Sequence, residues 1–176
     1  NYNENESSSY RKILALAHAA NDAKTIATIT ALGPPPWKNP RNFGILRRAT
    51  RTYEAKATIP APKSWWIPSP DYATPAAQAD YEAGEEYSYL QFVGLEGNGM
   101  LSRVDVPKLG LEFKLPVFMI QGAEDLVTTQ KKKKKYYDSI SAPKKEYVLL
   151  ARTGHDPNEA MIDAEYKVLK SLAIRK

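Results

Sequence analysis

Leu115-Pro116-Val117-Phe118-Met119-Ile120-Gln121 and Glu146-Tyr147-Val148-Leu149-Leu150 decide the fold class. Each is a short, continuous apolar run, the pattern of a strand buried on both faces in a helix-covered parallel sheet. Residues 130–140 between them read as a helix. Residues 158–172 after them read as an amphipathic helix carrying Met161, Ala164, Tyr166, Val168 and Leu169. Strand, helix, strand and helix at this spacing predict a parallel βαβ unit. Two parallel strands cannot cover both faces of a sheet or satisfy its edges. The expected fold is therefore α/β, with several strands supplied by another segment or polypeptide.

Towards the amino end the character changes to helices separated by proline-rich connections. Ser8 or Ser9 is a candidate cap for a first helix reaching about Ala20, and Asp22 caps a second, stopped by Gly33 and Pro34-Pro35-Pro36. Asn39-Pro40 opens a third helix with Ile45, Leu46, Ala49 and Tyr53. Residues 60–75 read as loop, rich in proline and holding Trp65-Trp66. Thr74-Pro75 opens a fourth helix, expected to break or bend near Gly84 and to end by Gly94. This divides the chain into a helical region, residues 1–110, and a βαβα region, residues 111–176.

Composition removes several function classes. The chain has no cysteine, so disulfides, thiolate catalysis and cysteine metal sites are excluded. The net charge of +5 comes from one run, the lysines at 131–135; elsewhere the two signs balance. A run of that kind is ordinarily a solvated face, and a nucleic-acid partner is not expected. No apolar stretch approaches the ~20 residues of a membrane span, and the opening Asn1-Tyr2-Asn3-Glu4 is polar, without the look of a signal peptide. A soluble protein without a membrane partner is expected. Gly94-Leu95-Glu96-Gly97-Asn98-Gly99 follows a helix and lacks the Lys-Ser/Thr of a phosphate loop.

The chemistry sits after the strands. Gln121-Gly122-Ala123-Glu124-Asp125 follows the first and Arg152-Thr153-Gly154-His155 the second. Reactive groups in open α/β sheets gather beyond the carboxyl ends of strands, so neighbouring parallel strands bring Asp125 and His155 to one rim. A carboxylate there holds an imidazole in one tautomer and stabilises its protonated form. His18, in an Ala-rich helix, reads as a packed or surface residue.

These loops carry a resemblance. Residues 115–169 resemble the C-terminal part of α/β-hydrolases, in which strand-Gly-x-x-Asp precedes strand-x-x-Gly-His and a last helix. Gln121-Gly122-Ala123-Glu124-Asp125, with Ala142-Pro143-Lys144-Lys145 ahead of Gly154-His155, is similar to the proline iminopeptidase branch. The segment around Ala31-Leu32-Gly33-Pro34-Pro35-Pro36 resembles the lid inserted before those strands.

The resemblance implies a serine aminopeptidase acting on a peptide or small amide. Asp125 and His155 would be the catalytic acid and base, and no cofactor or metal is called for. It also implies an acidic lid group for the substrate's ammonium and aromatic pocket walls. Glu82, Glu85 and Glu86 with Trp65 and Trp66 are the candidates. One departure is large: the chain has no Gly-x-Ser-x-Gly turn for the nucleophile. Ser64, Ser69 and Ser102 lack the flanking glycines, so the serine is expected on a second polypeptide or segment, and this chain alone should be inactive. Another α/β-hydrolase chemistry (esterase, epoxide hydrolase or dehalogenase) and a non-catalytic scaffolding or binding subunit remain the alternatives.

Overall fold

The computed structural model describes residues 2–173, and residues 1 and 174–176 of the two regions lie outside it. The fold is mixed α/β, mostly helical, with one two-stranded parallel sheet. Five helices come first: α1 (Tyr2–Ala19), α2 (Ala23–Leu32), α3 (Arg41–Glu54), α4 (Pro75–Val93) and the short α5 (Met100–Arg103). Then follow β1 (Val117–Gly122), α6 (Gln130–Ser139), β2 (Lys145–Leu150) and α7 (Glu159–Ala173). Among the described residues, no helix is long and apolar enough to cross a membrane.

The helical core forms where α1, α2 and α3 bury their apolar stripes together. Ile13, Ala17, Ile29, Phe43, Leu46 and Tyr53 meet there, with Trp37 set edge-to-face on Phe43 at 5.3 Å. Local chemistry fixes the helix ends. The Asp22 side chain accepts from Thr25 N at 3.0 Å and from the Tyr53 hydroxyl at 3.0 Å, capping α2 and tying it to α3. Thr74 caps α4, and Gly94, at a φ of 83° that favours glycine, ends it.

Two expectations for this region are corrected. α4 runs unbroken through Gly84, which is exposed with open space around it, so the ~1 kcal/mol propensity cost of an exposed glycine is tolerated. α1 begins at Tyr2, a turn and a half or more before Ser8 and Ser9. Ser9 does not cap. It is buried, and its hydroxyl donates 2.6 Å to the carbonyl of Leu126, far along the chain. The loop 60–75 also holds two short 3₁₀ turns, Lys63–Trp66 and Pro70–Tyr72.

β1 and β2 pair in register from Val117↔Lys145 to Gly122↔Leu150. Tyr147 packs on Tyr137 of α6 at 5.2 Å, whereas Val148 and Leu150 line a groove with Ala164 and Val168 of α7. Because successive strand residues face opposite ways, α6 and α7 lie on opposite sides of the sheet. The expected double-sided burial is not reached: Val117, Phe118, Met119 and Ile120 are only half-buried. Two strands give each member one edge without a strand neighbour, and one helix per face leaves gaps. α7 is apolar on its outer side too, with Ile162, Tyr166 and Leu169 exposed.

If Ser9 anchors rather than caps, Ser9→Ala should cost about 1–3 kcal/mol in urea unfolding by stranding a buried carbonyl. Ser8→Ala, which removes no hydrogen bond, should stay within about 0.5 kcal/mol. Equal small effects would return Ser9 to the role of a local cap.

Candidate active site

The parallel register ends with Gly122 beside Leu150, so the chain leaves both strands at one rim. The two loops then bond to each other, Ala123 N donating to Leu150 O at 2.9 Å and Glu124 N to Thr153 O at 3.0 Å. A Cβ on Gly122 would lie 2.3 Å from the carbonyl oxygens of Thr153 and Gly154, so only glycine permits this approach. Arg152, at a φ of 53°, turns the second loop back towards the first.

Asp125 is 7% exposed and accepts five hydrogen bonds. Val127 N and Thr128 N each donate 2.8 Å to Oδ1. Oδ2 takes the Thr128 hydroxyl at 2.6 Å, Gln121 Nε2 at 3.1 Å and His155 Nδ1 at 3.3 Å. Burial pushes the carboxyl up, but the bonds from His155 and Thr128 outweigh it and hold Asp125 down at about 2. An ionised carboxylate only accepts, so it selects the imidazole tautomer with the proton on Nδ1. The His155 side chain is 37% exposed and, among the described residues, its Nε2 makes no hydrogen bond. That pair can take a proton at Nε2 and return it.

The helical layer supplies much of the support. Ser9 and Asn5 of α1 donate to the carbonyls of Leu126 and Val127, and the Leu126 side chain enters the helical core. From the end of α3, Glu54 accepts from Leu126 N at 2.6 Å and from His155 N at 3.2 Å. Burial raises the Glu54 carboxyl, and those two amides pull against that rise. Beyond α3, Ile59 N donates to Arg152 O at 2.8 Å and Asn158 Nδ2 to Ile59 O at 3.0 Å, strapping the helical region to the second loop. A cleft of about 400 Å³ opens between the end of α3 and the second loop, lined by Glu54, Ile59, Pro60, Trp66, Gly154 and Asp156, among others; His155, between the last two, does not itself line it.

Asp125 and His155 are thus brought together, and Trp66 lines the neighbouring cleft although 64% exposed. Trp65 is 42% exposed and not among the cleft's lining residues. Glu82, Glu85 and Glu86 are exposed on α4, and their side chains form no hydrogen bond or ion pair among the described residues; Glu85 borders a different surface cleft with Tyr89, Phe92 and Arg103. His18 is exposed on α1. Among the described residues no serine hydroxyl bonds His155. Two supporting residues, Glu54 and Gln121, were not singled out in the sequence. Gln121 had a signal, a polar residue closing an apolar strand; Glu54, after a tyrosine near a helix end, had none. No family model, curated protein or solved structure matches the chain.

The depressed Asp125 carboxyl fixes a pH dependence. With an ordinary value of 3.8 when unfolded and about 2 when folded, its charge stabilises the fold above pH ~4. That contribution, roughly 2 kcal/mol, disappears as pH falls through about 2. Asp125→Asn should therefore be less stable than the parent at pH 5–7, with the gap narrowing between pH ~4 and ~2. A gap independent of pH in urea unfolding would show that the carboxylate is not held ionised.

Proposed function

We propose that this chain is the lid and acid–base portion of a serine hydrolase with the α/β-hydrolase fold, of the proline iminopeptidase type. The observation that carries the reading is the Asp125 Oδ2–His155 Nδ1 contact of 3.3 Å across two adjacent parallel strand ends. In the reaction, His155 Nε2 removes the proton of a serine hydroxyl as that oxygen attacks the scissile carbonyl. It then protonates the leaving amine, while Asp125 stabilises the imidazolium. Water repeats the sequence on the acyl-enzyme. No metal or organic cofactor enters this scheme.

The serine and the oxyanion donors are proposed to come from a second polypeptide or segment that also completes the sheet. The half-buried strands, the exposed outer stripe of α7 and the Ile120 carbonyl taken by Lys133 Nζ at 2.8 Å support an incomplete sheet. For the substrate, the cleft bordered by Gly154 and Asp156 on either side of His155 offers Trp66, Ile59 and Pro60 as an apolar wall. Glu54 is buried with both oxygens taken by backbone amides, whereas Asp156 is exposed, so the partner of a substrate ammonium is proposed at Asp156 before Glu82, Glu85 and Glu86. Asp156 already pairs with Arg51 at 3.6 Å, which places an ion pair at the rim.

The test is arylamine release from proline and alanine arylamides. The chain alone should show none, because loss of even one oxyanion donor typically costs ~10²–10³ in turnover. Combined with a polypeptide carrying the Gly-x-Ser-x-Gly turn, it should cleave. In that assembly His155→Ala should abolish activity, Asp125→Asn should lower it and His18→Ala should leave it intact. Activity of the chain alone that survives His155→Ala would refute the scheme.

A further inference from the structure

We infer that Glu54 is a positioning residue for the Asp125–His155 pair, using one buried carboxylate to set the spacing of the two loops. The inference rests on the acid–base reading above. Glu54 is 6% exposed, and its two oxygens are divided one to each loop. Oε1 takes the amide of Leu126, the residue next to Asp125, and Oε2 takes the amide of His155 itself. These partners lie 72 and 101 positions along the chain, so the contact is purely tertiary.

The arrangement is costly and specific. Burying a carboxylate is unfavourable unless it is well bonded, and among the described residues no Lys, Arg or His side chain forms an ion pair with Glu54. An apolar side chain would hold α3 against the loops at lower cost. What a carboxylate adds is two acceptor atoms at fixed separation, each bound to the backbone beside one member of the pair. The second loop is shaped to fit: a Cβ on Gly154 would sit 2.8 Å from Glu54 Oε2.

Competition at Asp125 makes that spacing matter. Oδ2 already holds the Thr128 hydroxyl at 2.6 Å, a shorter contact than its 3.3 Å to His155. A small retreat of the His155 backbone would leave the carboxylate satisfied by Thr128 and Gln121 and the ring unpaired. Glutamine at position 54 would cause that retreat. Its single oxygen accepts one amide, and its NH₂ group opposes the other.

The chain has two histidines, so its imidazole signals are simple to assign, and exposed His18 is an internal reference. Long-range ¹H–¹⁵N spectra of the full chain, with no substrate, read the tautomer of each ring. In the parent, His155 should be the Nδ1–H form. Asp125→Asn and Glu54→Gln should each lose that form while His18 stays unchanged. Gly154→Ala attacks the same contact from the opposite side and should also lose it, which supplies the reading if Glu54→Gln fails to fold.

A Glu54→Gln or Gly154→Ala protein that folds, melts lower and keeps His155 as Nδ1–H would reduce Glu54 to a stabilising contact and overturn the inference. Arylamine release decides the hydrolase reading separately. Tautomer loss in a system whose parent assembly is inactive would sink the hydrolase and leave the positioning role standing.

Discussion

A carboxylate that is 7% exposed must be bonded on every side, and Asp125 organises its surroundings by that demand. Its Oδ1 gathers the amides of Val127 and Thr128 and so curls the loop after β1 into a tight turn. Its Oδ2 gathers a strand side chain, a loop hydroxyl and an imidazole from the next strand. The donors outweigh the burial, so the charge persists and dictates which ring nitrogen of His155 holds the proton. The glycine at 122 follows from the same demand, because the loops could not come close enough with a Cβ there, while the glycine at 154 leaves room for the Glu54 carboxylate.

The helical layer is part of this arrangement rather than a separate cover. Ser9 and Asn5 hold carbonyls of the first loop, Leu126 buries its side chain among the helices, and Glu54 holds an amide of each loop. Ile59 and Asn158 then bind the segment after α3 to the second loop. Helices joined in this way are held to both loops by hydrogen bonds. Changes in the helices are therefore expected to reach the imidazole through backbone bonds, without touching a substrate.

The βαβ unit was legible because apolar runs and their spacing are local signals, and Asp125 with His155 was legible because strand ends are where loops meet. The helix caps at Asp22 and Thr74 were legible for the same local reason. What escaped was tertiary. Ser9 looks like a cap in sequence, yet its hydroxyl answers a carbonyl 117 positions away. Glu54 is one of many acids in the helical region, and only the folding of α3 onto the loops distinguishes it from Glu82, Glu85 and Glu86. Gly84 signals a break that α4 does not make, since an exposed helix bears one glycine at modest cost. The strands' apolar faces announced burial that two strands and two helices do not provide.

His155 is proposed to activate a serine on a second polypeptide or segment. The rate at which a fluorophosphonate labels that serine, in the assembly with a Gly-x-Ser-x-Gly polypeptide, tests it most directly. The phosphorus is attacked by the serine oxygen, fluoride leaves, and the proton passes to the base. Labelling should require this chain and fall roughly 10²–10⁴-fold with His155→Ala, the range of general-base catalysis. Labelling at the same rate with His155→Ala, or without the chain at all, would contradict the proposal.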